Sequence, residues 1–255
     1  MSLDLLTLTK PMILAGDLYI GDPSSDGTFP GLTGPYETAK FNLKPNVKTQ
    51  EQLSMANDTY GQVRSSIVIP DKTEITIEFL DVHPEVMAIF QLGETSAFSQ
   101  GSGTLTDFAI TAAFDKWFET GHGNLSTTGL TIKSNDGATT FVLGKDYDIE
   151  FVTGRYRIRS TGAIALGAHL KMNGTYAAID GTSVSMGTKI LQKKGLLLLA
   201  KNLDDGSPME IGIYKSKLRP NSDFSAKDNK HISLTLAGIL ETPAGLGGAG
   251  YIRYR

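Results

Sequence analysis

The sequence predicts a mainly β protein, a β-sandwich or barrel with one short α-helix, and three observations carry that expectation. Apolar and polar residues alternate at period two along most of the chain, and only one stretch changes to the helical period. Turn residues recur at short spacing, with 28 glycines to supply the backbone conformations that such turns need. The runs between turns are strand-sized, about ten of them, which suits sandwiches and barrels.

The elements follow in order. Residues 1–35 read as an N-terminal arm: an apolar segment broken at Pro11, then GDLYIG, then the turn-rich GDPSSDGTFPGLTG. Residues 36–69 read as a strand in which Phe41, Leu43 and Val47 alternate with polar residues, a long polar loop QEQLSMANDTYGQ, and a second strand SSIVIP. In TEITIEF, the residues Ile75, Ile77 and Phe79 alternate with Glu74, Thr76 and Glu78, the pattern of a strand with one wet face.

After Asp81 the period changes. Val86, Ile89, Phe90 and Gly93 fall at i, i+3, i+4 and i+7, which predicts a helix over 84–92. Pro84 suits its first turn, Asp81 and Glu85 sit near the positive end of its dipole, and Gly93 reads as its stop. A helix this short is unstable alone, so packing must hold it.

Beyond it, SNDGAT and FVTGRY place turn residues between alternating segments at hairpin spacing, and NLDDGSP supplies another such turn. The series closes with HISLTLAGILET, where Ile232, Leu234 and Leu236 alternate, and residues 244–255 read as a flexible tail. The whole of 1–255 is read as one domain.

Composition excludes several classes of chemistry. With no cysteine there is no disulfide framework, thiolate metal site or thiol nucleophile. A net charge of −3 gives no basic surface for reading nucleic acid. No run reaches the roughly 18 to 20 apolar residues of a spanning helix, and the N-terminus lacks the basic region of a signal peptide. The glycine run Gly245 to Gly250 fits the dinucleotide-binding pattern in letters only, because YIRYR is too short to be the helix that would cradle a pyrophosphate.

His83, His122, His169 and His231 are scattered without metal-ligand spacing, and no nucleophile elbow is present. The expectation is therefore no catalytic residue, no metal, no cofactor and no enzyme. On a strand, Arg155, Arg157 and Arg159 share one face, which reads as a solvated face or one with acidic neighbours.

In order of elements the chain resembles the major tail tube proteins of long-tailed bacteriophages. The features are the leading arm, the strand pair joined by a long polar loop between Thr38 and Ile69, and the strand-into-helix passage TEITIEFLDVHPEVMAIFQLG. KDYDIEFVTGRYRIRSTGAI is similar to the family's hairpin, with a following strand that ends in Tyr176. KKGLLLLAKNLDDGSPMEIGIYKSKLRP and SLTLAGILET are similar to its closing strands, so the resemblance spans most of 1–243.

The resemblance implies a β-sandwich subunit of hexameric rings that stack into a hollow tube in the virion. Double-stranded DNA would pass through it transiently and without sequence preference, and assembly would begin in the host cytoplasm. Implied partners are further copies of the chain, a tape-measure protein, a tail terminator and distal tail or baseplate proteins, with no membrane. The expected subunit and ring contacts are Leu5, Leu6 and Leu8 of the arm, Gln50, Gln52, Met55 and Tyr60 of the loop, and Val86, Ile89 and Phe90 of the helix. Glu74, Glu78, Asp146, Asp148 and Glu150 are the expected lumen-facing acids, since carboxylates there would repel phosphates.

Two alternatives stand beside this reading. One is a single-ring tail, head–tail or decoration protein. The other is a carbohydrate-binding β module, for which Trp117 with Phe114 and Phe118 would be the stacking platform.

Overall fold

The computed structural model describes residues 12–227 and 231–254. The fold is mainly β, as the sequence predicts, with 54% of residues in strands and 3% in helix. Where the sequence reads as one domain, the chain forms two compact units, residues 1–95 with 184–255 and residues 96–183.

The first unit opens with β1 (Leu14–Gly21), β2 (Thr33–Tyr36), β3 (Thr38–Leu53), β4 (Val63–Phe79) and α1 (Pro84–Phe90). The chain then enters the second unit along β5 (Thr95–Gln100). Within that unit follow β6 (Gly103–Thr111), β7 (Trp117–Glu119), β8 (Thr131–Ser134), β9 (Tyr147–Glu150), β10 (Arg155–Ile158) and β11 (His169–Tyr176). The chain leaves along β12 (Ile179–Val184), which pairs with β5. It finishes with β13 (Gln192–Asn202), β14 (Pro208–Pro220), β15 (Leu234–Leu240) and β16 (Gly250–Tyr254).

The first unit is built on an eight-stranded sheet in the order β2-β1-β13-β14-β15-β4-β3, with β16 also paired to β14. One face of this sheet is apolar at period two: Leu18 and Ile20, Ile75 and Ile77, Leu196 and Leu198, Ile211 and Ile213, Leu234 and Leu236 all lie in its core. A register shift where Lys194 and Leu196 meet Ser216 and Ile213 resets the alternation, so that Leu218 returns to the core. The helix α1 covers part of this face, packing on β14 and β15 and burying Val86, Ala88, Ile89 and Phe90.

Several local expectations differ from what the chain does. The helix is 84–90, and its left-handed exit residue is Leu92 (φ 50°) instead of Gly93. Gly93 is needed for a different reason: a Cβ there would lie 1.8 Å from the carbonyl oxygen of Ser185. Much of the supposed arm is sheet, since β1 pairs with β13 along its whole length, from Leu14↔Asn202 to Gly21↔Gly195. The supposed tail is sheet as well, with Met209↔Tyr254 to Ile213↔Gly250 holding β16 against β14. Finally, SSIVIP and TEITIEF are one continuous strand, β4, which passes through Pro70 next to a bulge at Pro45 and Val47 of β3.

The second unit holds two three-stranded sheets, β7-β10-β9 and β6-β11-β8, around a core that includes Ile132, Tyr147, Ile158, Leu170 and Met172. The hairpin expected at VTGR is present, with Arg155↔Glu150 closing it and Gly154 at φ 69°. The turn at NLDDGSP also forms, with Gly206 at φ 78° between β13 and β14.

Candidate functional site

The most unusual surface of the molecule is the distal half of the β3–β4 hairpin. β15 pairs with β4 only from Glu74 to Phe79. Before Glu74, β4 is paired among the described residues with β3 alone, through Val47↔Pro70, Thr49↔Val68, Gln50↔Ile67 and Leu53↔Val63. The result is a two-stranded ribbon beyond the edge of the sheet. A free two-stranded hairpin is marginal in water and leaves rows of backbone donors and acceptors unpaired.

Its side chains raise the same question. Ile67, Val68 and Ile69 are consecutive, so they alternate between the two ribbon faces, yet they are 60%, 61% and 45% exposed. A continuous β-branched run of this kind is the signature of a strand covered on both faces. Val47, Leu53 and Val63 are also exposed on the ribbon. Covering each such side chain would contribute up to about 1.5–3 kcal/mol.

The ribbon ends in a closed tip. The Ser54 amide donates to the Gln62 carbonyl (2.7 Å), the Gly61 amide donates to the Ser54 carbonyl (2.9 Å), and the Ser54 and Thr59 hydroxyls bond at 2.7 Å. Met55 and Tyr60 stand out from this tip, 80% and 71% exposed.

The residues expected at subunit contacts divide into three groups. Gln50, Gln52, Met55 and Tyr60 all lie on the ribbon and its tip, exposed and available. Of the segment that reads as a polar loop, residues 50–53 extend β3 and residues 54–62 form the turn; with neither face buried, the strand part has no hydrophobic period to betray it. Val86, Ile89 and Phe90 require correction. They are buried in the chain's own core and offer no surface to a second copy, so the helix braces the sheet and these side chains form no seam. Leu5, Leu6 and Leu8 lie outside the described residues.

The acidic expectations also need correction. Glu74 and Glu78 do share the face of β4 opposite the core, but Lys72 pairs with Glu74 (3.1 Å) and Lys40 with Glu78 (2.8 Å). That face further carries Lys44 opposite Glu74, and Lys215 and Lys217 on β14 flanking Glu241. It is not an acid-lined wall.

Asp146 is buried, its carboxylate accepting from the amides of Val142 (2.8 Å) and Ala163 (2.9 Å), which lower its pKa. Asp148 receives both Arg157 (2.6 Å) and Arg159 (2.5 Å), with Arg159 the larger cause of its lowered pKa. Glu150 accepts from the hydroxyl and amide of Thr153, which hold its pKa down. The three arginines have acidic neighbours, as expected: Arg155 pairs with Glu119 at 2.8 Å.

Trp117 is half exposed, with the Arg157 guanidinium 5.0 Å from its ring centroid. Phe118 stacks on Tyr156, and Phe114 packs against the core of its unit, so the three aromatics form no common platform. Among the described residues, no cluster of His, Asp and Glu has the geometry to hold a metal ion, and no helix is long and apolar enough to cross a membrane.

Residues 11–245 match the model of a family described as Protein of unknown function UCP028589. The chain belongs to that family. No curated protein matches it. The match takes in the ribbon, the helix and the whole of the second unit, and stops short of β16. In this UCP028589 protein the ribbon is thus part of the family region and no terminal addition.

Proposed function

We propose that this UCP028589 protein is a structural virion subunit that assembles into rings, and that the rings stack into the hollow tail tube of a long-tailed bacteriophage. The observation that carries the reading is the ribbon, whose β-branched run is exposed on both faces while its edges pair with no further strand among the described residues. A surface of that kind is a liability in a monomer and an asset in a polymer, where neighbouring copies cover the faces and extend the strands. A ribbon that docks on a different surface of the next copy makes a heterologous contact, and repeated heterologous contacts close into rings or run on as filaments.

The partners in this reading are those the resemblance implies: more copies of the chain, a tape-measure protein, a terminator, and distal tail or baseplate proteins, with DNA in transit. The face bearing Glu74 and Glu78 is not proposed as the lumen, because its lysines would attract phosphates. No catalytic step is assigned.

Sedimentation velocity and light scattering over a wide concentration range test the proposal. Species growing through a six-copy ring to larger stacks are expected. A single closed ring that never grows would move the reading to a terminator or distal-tail role, and a monomer at every concentration would oppose self-assembly.

A further inference from the structure

The second unit contains a cavity of about 900 Å³ between the end of β5, the segment after β7 and the β9–β10 turn. Its volume lies in the range of built ligand sites. Phe98, Val152 and Ile179 supply its apolar surface, and His122 and Tyr176 lie among its lining residues.

The walls are held in place by internal bonds. The Gln100 side-chain amide donates to the carbonyls of Gly123 and Ala177 and accepts from the Gly123 amide, each at 2.9 Å. Thr120, buried, donates its hydroxyl to the carbonyls of His122 and Gly154, again at 2.9 Å. His122 and Tyr176 stack with ring centroids 4.1 Å apart and planes 9° apart. These bonds fix the shape of the cavity before any ligand arrives.

The polar groups with no protein partner indicate the ligand. Tyr176, His122, Ser99 and Ser102 are among the lining residues, and their side-chain polar groups, which solvent reaches, make no hydrogen bond to another described residue. The one acidic lining residue, Glu119, is already paired with Arg155. No lysine or arginine lines the cavity, so nothing there selects a phosphate or a carboxylate. Phe98 is 53% exposed.

We propose that this cavity binds a neutral saccharide. The C–H face of a pyranose would rest on Phe98, whose π-face is electron-rich. The sugar hydroxyls, each both donor and acceptor, would bond to Tyr176, His122, Ser99 and Ser102, groups that are themselves donors and acceptors. The site lies within the second unit and stands whether or not the chain polymerises.

The test is saturation-transfer NMR and calorimetry on the full chain with neutral hexasaccharides of glucose, mannose, galactose and N-acetylglucosamine. At least one should bind with Kd on the order of 1 mM or tighter. Phe98→Ala should weaken that binding at least about tenfold, and Tyr176→Phe by a smaller factor. Phe98 is exposed, so its variant should keep the wild-type circular dichroism; Ser102→Ala is a second, milder variant expected to weaken binding. No binding by any of the four would overturn the proposal, as would binding that all three variants leave unchanged. Phe98-dependent binding of inorganic phosphate would overturn the assignment to a neutral ligand.

Discussion

Ile67 and Val68 are neighbours on β4, point to opposite faces of the ribbon, and are exposed to nearly the same extent, 60% and 61%. No other chain segment among the described residues covers either face. This pair yields a clean separation of stability from assembly. Replacing both with lysine should change folding stability by no more than about 0.5 kcal/mol for each site, the ordinary range for exposed positions. The same variant should lose association altogether, read by light scattering beside a thermal melt.

The helix predicts the opposite pattern. Phe90 and Ile89 are buried under the sheet, so Phe90→Ala should cost about 3–5 kcal/mol and Ile89→Val about 0.5–1.5 kcal/mol. Urea unfolding measures both. A Phe90→Ala protein with wild-type stability would mean that the helix does not sit where the core places it.

Gly154 and Gly121 offer a matched comparison. Both have positive φ, 69° and 79°. A Cβ on Gly154 would lie 1.6 Å from the His122 carbonyl oxygen, whereas one on Gly121 meets nothing within 4 Å. Gly121→Ala should cost about 1–2 kcal/mol, the left-handed penalty alone. Gly154→Ala adds a backbone clash and should cost at least about 1–3 kcal/mol more, or prevent folding of the second unit. Chemical denaturation of the two variants distinguishes the effects.

Stability should fall at both ends of the pH scale. Hydrogen bonds from Arg159 and then Arg157 hold the Asp148 carboxyl below its ordinary value of 3.8, and Lys217 and Lys215 do the same for Glu241. A depressed folded-state pKa gives stability that is present above the unfolded value and lost as pH falls through the folded one, so the acid limb lies below about pH 4. Burial, with a hydrogen bond to Glu85, pushes Tyr36 up to about 12, and burial with Glu210 pushes Tyr251 to about 12. A raised pKa works the other way: that contribution is complete below pH 10 and is lost as pH rises toward 12. Melting temperature should be level from about pH 5 to 9, and Asp148→Asn should shrink the acid limb.

Much of this was legible in the residues, for identifiable reasons. Ile75, Ile77 and Phe79 announced a half-buried strand, and the change of period after Asp81 announced the helix. Gly154 and Gly206 marked their turns. Other features are set by partners distant in sequence. β1 reads as an arm because Gly16 and Asp17 break its alternation, yet Gly16 is glycine for the sheet's sake: a Cβ there would lie 2.2 Å from the Leu199 carbonyl. The second unit is invisible as an insertion, since strand spacing says nothing about which strands pair. The ribbon is half legible. Met55 and Tyr60 lie in the turn that the sequence reads as loop, whereas Gln50 and Gln52 read as loop because a strand exposed on both faces carries no periodic signal. The cavity of the second unit is not legible in the sequence, because Phe98, His122 and Tyr176 are brought together only by the fold.

The most direct measurement is negative-stain electron microscopy of the purified protein, raised stepwise in concentration, beside the Ile67→Lys/Val68→Lys variant. The account predicts hollow rods of stacked six-fold rings for the wild type and isolated subunits for the variant. Wild-type protein that stays dispersed as single subunits at its highest soluble concentration, or variant protein that forms the same rods, would contradict it.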